Sequence, residues 1–391
     1  MSQPSRSPRQ IPVVVLAGFL GSGKTTLLNH LLHRSGGSRI GAVVNDFGSI
    51  EIDAMAVAGA LGDSTVSLGN GCLCCAVDPG ELDAYLERLA APSAGIDVVV
   101  IEASGLAEPQ ELVRMLLASE LPQIVYGGLV EVVDAAEFDG TRAAHPEIDR
   151  HLALADLVVV NKLDRAPDGE RVLALVHSLV DRAAVVPATY GRVDPEFLFD
   201  CRPGEERIGQ LSFDDLHDHG DPGAGHSGHP HTAYDSLSFT SGTPLDPRRL
   251  MAFLDSRPDG LYRIKGYVDF GAHDVRNRYA VHAVGRFLRF YPEPWPAGEP
   301  RLTQLVLIGS GIDAPALGKE LEACGSDAPH TADEHGMWGV LRYVQDPDAD
   351  VKDAEADVQD PDADVQGPGE DVQGPDEHVQ DPDDDLAEPS A

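Results

Sequence analysis

No apolar run in these 391 residues approaches the roughly 18 consecutive residues that cross a bilayer, which excludes a helical integral membrane protein. Basic residues are scarce: 29 Lys and Arg stand against 65 Asp and Glu, a formal net charge of −36. A chain so negative lacks the cationic face that displaces counterions, so sequence-independent binding to DNA or RNA is excluded. Cysteine is rare and odd in number. Of five, three fall within four residues, at Cys72, Cys74 and Cys75. Neighbours that close are poorly placed to bridge one another, which excludes a disulfide framework and leads to an expected cytoplasmic, reducing setting. Arg6 and Arg9 before the apolar run Ile11–Leu20 loosely resemble a secretory signal, but the run ends in Gly-Ser-Gly-Lys and not at a small-residue cleavage site. With 42% apolar and 24% charged residues the chain otherwise has an ordinary globular composition.

The charge is unevenly spread. From Val344 to Ala391 there are 18 acidic residues and one lysine, and a seven-residue unit beginning VQDPDAD recurs six times. Each unit has one reliable apolar position and most contain proline, so no coiled-coil seam forms and an acidic disordered tail is expected over 344–391. Residues 1–10 are polar and expected to be frayed. Between 11 and 200, short β-branched runs alternate with helical stretches. The expected strands are Val13–Ala17, Ile40–Asn45, Thr65–Leu68, Asp97–Glu102, Gly128–Val133, Leu157–Val160 and Ala184–Val186. The expected helices are Lys24–His33, Gly80–Ala90, Pro109–Ala118, a short one near Pro146–Ala153, and Gly169–Val180. Unbroken apolar strands alternating with helices predict an α/β domain whose mostly parallel sheet is covered on both faces. Residues 201–233 read as a His, Gly and Asp-rich linker. From 234 to 325 a small α+β domain is expected, with strands Ser236–Thr240, Leu261–Phe270, His282–Phe290 and Gln304–Ile308 and helices Pro247–Ser256 and Ala314–Glu322. Residues 326–343 connect it to the tail.

Gly18-Phe-Leu-Gly21-Ser22-Gly23-Lys24-Thr25 fits the phosphate-loop pattern between a strand and a helix, with Thr26 following. Its glycines turn backbone amides toward phosphate oxygens and the helix N-terminus adds its dipole. Lys24 is expected to bridge β- and γ-phosphates, and Thr25 to bind Mg²⁺. Asn161-Lys162-Leu163-Asp164 follows a strand about 140 residues later. A carboxylate there accepts hydrogen bonds from guanine N1–H and its exocyclic amine together, a pair that adenine lacks. This predicts GTP and disfavours a P-loop ATPase or small-molecule kinase. Glu102, ending a buried strand, is expected to hold a Mg²⁺-bound water or orient the attacking water, and the Gly105 amide to sense the γ-phosphate.

Gly71-Cys72-Leu-Cys74-Cys75 is a soft-ligand cluster. Zn²⁺ takes four ligands in a tetrahedron, so three thiolates leave a position open, which suits a transferable ion better than a closed structural site. A buried trio of small apolar side chains is the plainer alternative. His217, His219, His226, His229 and His231 fall within fifteen residues. They read either as an auxiliary metal collector or as a solvated polar linker.

GFLGSGKTT, VNDFGSIEID, GCLCC, EASGLAEP and NKLD occur in the order found in the CobW-like GTPases, which include metallochaperones and cobalamin-biosynthesis proteins. Arg263-Ile-Lys265-Gly266 and Gln304-Leu-Val-Leu-Ile-Gly309 resemble that family's C-terminal domain, so the likeness spans roughly residues 11–325. The resemblance implies a GTPase whose cycle is coupled to delivery of a metal ion, commonly zinc, to a client metalloprotein. It implies that Lys24, Thr25 and Glu102 serve GTP and Mg²⁺, that Cys72, Cys74 and Cys75 bind the transferred metal, and that Asn45-Asp46-Phe47-Gly48 is a nucleotide-sensing switch in which Asp46 has a catalytic part. Asp46 stands where Glu is usual in the family, and Ala103 where a hydroxyl residue is usual. Two alternatives remain at this point. One is a metal buffer or sensor with a nearly inert GTP site; the other is a cobalt- or iron-directed member acting in cobalamin biosynthesis or metalloenzyme activation. Client and oligomeric state are left open.

Overall fold

The computed structural model describes residues 10–45, 65–68, 79–105, 108–200, 234–325 and 335–344. The expected frayed N-terminus, the linker 201–233 and the acidic repeats lie almost wholly outside these residues.

Seven strands form the first sheet: β1 (Ile11–Gly18), β2 (Ile40–Asn45), β3 (Thr65–Leu68), β4 (Val98–Glu102), β5 (Ile124–Asp134), β6 (Leu157–Asn161) and β7 (Ala184–Pro187). Their order is β3-β2-β4-β1-β5-β6-β7, and every pairing is parallel. Side chains alternate between two faces, and both faces are apolar. Val14 and Leu16 join Leu27, Leu28 and Leu31 of helix α1 (Lys24–His33) on one face. Val13, Val15 and Ala17 join Leu82 and Leu86 of α2 (Pro79–Ala90) and Leu112 and Leu116 of α3 (Pro109–Ala118) on the other. Further along that second face, α4 (Phe138–Ala144), α5 (Ile148–Leu154) and α6 (Gly169–Leu179) cover Val133, Val158 and Val185. Burial on both faces is why these strands read as continuous apolar runs. Helix α4 was not expected from the sequence; its FDGTRAA has one buried anchor, Phe138, and no apolar stripe. A one-turn helix, α7 (Pro195–Leu198), closes this half, with Asp194 accepting from the Glu196 amide.

The second half is a five-stranded antiparallel sheet, β11-β10-β9-β12-β8. It comprises β8 (Asp235–Ser241), β9 (Leu261–Val268), β10 (Asn277–Val284), β11 (Phe287–Pro294) and β12 (Thr303–Gly309). Helices α8 (Pro247–Asp255) and α9 (Ala314–Ala323) cover one face, each started by an aspartate, Asp246 or Asp313, that accepts a backbone N–H three residues on. The single strand expected over His282–Phe290 is corrected here. It is a hairpin, because Val284 pairs with Phe287 across the two-residue turn Gly285-Arg286. Gly285 has φ +52°, and a Cβ there would lie 1.7 Å from Asp156 Oδ1. Two turn residues interrupt too little of the apolar pattern to register in a window of sequence.

Residues of both halves belong to one compact unit. Tyr262 of β9 is buried in the core around α1 and stacks on Phe197 at 5.2 Å, and its hydroxyl donates to Gly127 O at 3.3 Å. Asp156 accepts from the Tyr126 hydroxyl at 2.5 Å and from the Leu129 amide at 2.9 Å. Lys265 and Arg263 pair with Asp200. His282 of β10 bonds Tyr126 O through Nε2 at 2.9 Å, so that nitrogen carries the proton. Among the described residues no helix is long and apolar enough to cross a membrane.

This seam has a pH consequence. Burial, reinforced by the Arg263 charge, pushes the His282 imidazole down from 6.5 to about 4. The unfolded chain therefore takes up a proton at this residue before the folded one does. Stability from this group is full above about pH 6.5 and is lost as pH falls from there through about 4, a span of roughly 3 kcal/mol. His282→Gln, which can still donate to Tyr126 O, is expected to flatten that acid limb in melting temperature measured against pH. An acid limb as steep as the wild type's would contradict the assignment.

Candidate functional site

The parallel sheet brings the C-terminal ends of β1, β4, β5 and β6 to one edge, where open α/β sheets place ligands. β1 ends at Gly18, whose φ of +138° and close approach to Val132 O (a Cβ would lie 2.3 Å away) only glycine tolerates. Gly23, at φ +104°, precedes helix α1, and a Cβ there would strike Asn161 Nδ2 at 2.3 Å. Gly21 and Thr26 are exposed, and Ser22 is buried between these glycines. The loop is thus held open as a cradle of backbone amides ahead of a helix N-terminus.

Lys24 is 6% exposed and folds back on its own loop, donating to Gly18 O at 2.8 Å and Phe19 O at 3.2 Å. Thr25 Oγ1 donates to Glu102 Oε1 at 2.6 Å. The hydroxyl expected to bind Mg²⁺ and the acid expected to hold a Mg²⁺-bound water or orient the attacking water, 77 residues apart, therefore meet. Glu102 is 4% exposed and sits in register with Leu16 of β1. Gly105 packs on the phosphate loop so closely that a Cβ would lie 2.7 Å from Leu20 N.

The Asn161–Asp164 turn meets the same loop from the other side. Asn161 is 1% exposed; its Nδ2 donates to Ser22 O at 3.0 Å and its Oδ1 accepts from the Gly191 amide at 2.9 Å. It acts as a fastener between three loops. Lys162, in the left-handed region at φ +59°, donates to Gly21 O at 2.6 Å and to Asp134 Oδ2 at 2.7 Å, which stretches its aliphatic stem across the face of the site. Asp164 is exposed on the 3-10 turn Leu163–Arg165, with its carboxylate open to a ligand.

Several participants were not singled out from sequence. Asp134 anchors Lys162. Gly191, at φ +65°, lies against Leu27 N, and Tyr190 beside it is 65% exposed at φ +54°. These belong to a short loop after β7 whose only local signal is a Tyr-Gly pair. Glu108, beyond Gly105, accepts through both carboxylate oxygens from one nitrogen, Nη2, of Arg150 at 2.7 and 2.6 Å. Glu131 of β5 is buried and is taken up below. Asp46, Cys72, Cys74, Cys75 and the five histidines His217–His231 lie outside the described residues, as does the side chain of Asn45. Among the described residues no group of three or more His, Cys, Asp or Glu is gathered to hold a metal.

Residues 12–187 match the family CobW/HypB/UreG, nucleotide-binding domain, and residues 234–325 match the Cobalamin synthesis protein cobW C-terminal domain. A zinc chaperone CobW of Sinorhizobium sp is 30% identical over 341 residues, spanning 77% of this chain and 93% of the relative. The chain belongs to the CobW family of P-loop GTPases. A second zinc chaperone CobW, from Pseudomonas aeruginosa, is 33% identical over 359 residues, covering 81% of this chain and 92% of its own. A zinc-regulated GTPase metalloprotein activator 1 of Schizosaccharomyces pombe is 31% identical over 196 residues, 47% of each chain. For a CobW-family chain the geometry above is that of a phosphate loop with its lysine, hydroxyl and strand-end acid assembled.

Proposed function

We propose that this chain is a cytoplasmic GTP-hydrolysing metallochaperone. It binds a transition-metal ion, zinc foremost, at Cys72, Cys74 and Cys75, and couples the GTP cycle to transfer of that ion to a client metalloprotein. The observation that carries the reading is the meeting of Thr25 and Glu102 at 2.6 Å on the strand edge from which the cysteine segment departs. Leu68, the last residue of β3, pairs with Asn45, one residue beyond the Val44–Glu102 pair. Cys72, Cys74 and Cys75 fall in sequence between Leu68, at the nucleotide end of β3, and Pro79, the first residue of α2. Relatives named as zinc chaperones, spanned over more than nine-tenths of their length, supply the metal.

In this reading Lys24 gives up the Gly18 and Phe19 carbonyls and turns its ammonium to the β- and γ-phosphates. Thr25 and Glu102 hold Mg²⁺, which supplies charge neutralisation at the phosphates when bound. Asp164 and the stem of Lys162 take the guanine, while Asn161 keeps the loops in register. The Gly105 amide senses the γ-phosphate and the Asn45-Asp46-Phe47-Gly48 switch responds to it, so loss of the γ-phosphate alters metal affinity at the cysteines that follow in the chain. The auxiliary role of His217–His231 is to collect ions at low affinity.

GTP turnover measured with and without Zn²⁺ tests the coupling. Zinc is expected to raise the rate. A rate indifferent to zinc at saturating GTP would instead fit a metal buffer whose nucleotide site is regulatory.

A further inference from the structure

Glu131 stands between apolar neighbours on the adjacent strands. It pairs in register with Ala17 on β1 and with Val158 on β6, so its two strand neighbours present small or branched apolar side chains. It is 3% exposed, and its Oε2 has no hydrogen-bond partner among the described residues. The next residue, Val132, pairs with Gly18, where the phosphate loop begins. A carboxyl group is thus enclosed directly beneath the root of that loop. The charged group acting on it is the ammonium of Lys24. Helices α3 and α5 pack on β5 and bring Leu112, Leu116, Leu152 and His151 to this layer. Burial lowers the His151 imidazole from its ordinary value against the pull of Glu108, whose carboxylate lies 3.6 Å from its ring.

We propose that nucleotide binding is coupled, through the charge of Lys24, to a proton carried on the Glu131 carboxyl group. An ionised carboxylate with an unpartnered buried oxygen, Oε2, is costly, and the field of Lys24 offsets that cost incompletely. Burial consequently pushes Glu131 up to about 8 against the pull of Lys24. Near neutral pH the acid is protonated and places no negative charge near the lysine. Nucleotide binding brings phosphate charge to Lys24 and draws the ammonium toward it. Both changes disfavour a negative Glu131 and tighten its hold on the proton. The sign follows: affinity for GTP is full below the free-state value and falls as pH rises through it, until the bound-state value is passed.

The inference rests on the nucleotide site described above, and the experiment separates the two. GTP affinity is measured from about pH 7 to about pH 9 for the full-length wild type and for Glu131→Gln, which keeps shape and polarity and cannot ionise. The variant is expected to match the wild type near pH 7 and to bind about fivefold tighter or more near pH 9. Ionisation of the nucleotide itself is common to both proteins and cancels in the comparison. Superimposable profiles would overturn the role of Glu131 and leave the nucleotide site standing; absence of GTP binding by the wild type would overturn both. Calorimetry with GDP near pH 8.5, in buffers of different ionisation enthalpy, is run on wild type and on Glu131→Gln, so that proton uptake at the base cancels. Larger net proton uptake by the wild type is expected, and equal uptake by the two proteins would overturn the proposal. A merely structural role for Glu131 predicts equal uptake.

Discussion

Asp164→Ala is expected to weaken GTP binding about a hundredfold or more while leaving the weak binding of ATP nearly unchanged. Asp164 lies exposed on its 3-10 turn, with Lys162 stretched beside it to Gly21 O and Asp134. Two hydrogen bonds from guanine to a charged acceptor are worth roughly 3 kcal/mol or more together. Adenine has no donor pair to lose, so the substitution acts on the difference between the two bases. The fold is unaffected in this account, because the loops are held by Asn161 and not by Asp164. Competition titrations with GTP and ATP on both proteins give the answer. Equal, weak binding of both nucleotides by the wild type would remove the basis for guanine recognition.

Replacing Cys72, Cys74 and Cys75 together by Ser is expected to abolish tight zinc binding. A hydroxyl does not ionise near neutral pH and is a harder, poorer ligand than a thiolate. GTP affinity is expected to persist, since Lys24, Thr25, Glu102 and Asn161–Asp164 are untouched, and stimulation of turnover by Zn²⁺ is expected to vanish. Tight binding also weakens as pH falls, because protons compete for the thiolates. Zinc titration of the triple variant is decisive here. Retained tight binding would move the site elsewhere, with His217–His231 the first region to probe.

Much of the first domain was legible because its physics is local. Runs such as Val98-Val-Val-Ile are buried on both faces, so they carry an uninterrupted apolar signal. The phosphate loop is a continuous string in which each glycine has a conformational duty. The hairpin at Gly285-Arg286 and helix α4 were hidden for the opposite reason: a two-residue turn and a single Phe138 anchor leave little periodicity to read. The roles of Asn161 and Lys162 were legible in kind but not in detail. Their partners, Ser22, Gly191, Gly21 and Asp134, lie 28 to 141 residues away, and no spacing rule reports such contacts. Glu131 is the extreme case: its flanking sequence Leu129-Val-Glu-Val-Val reads as one polar residue in a strand, and only the sheet order puts it beneath the phosphate loop.

The central claim is that nucleotide state and metal affinity are coupled through the chain between β2 and α2. The most direct measurement is the zinc affinity of the wild-type protein with a non-hydrolysable GTP analogue bound and again with GDP bound. The account predicts two affinities that differ by about tenfold or more, a coupling of about 1.4 kcal/mol, with the same factor appearing as a change in the ratio of GTP-analogue to GDP affinity on adding zinc. Identical zinc affinities in the two nucleotide states would contradict it.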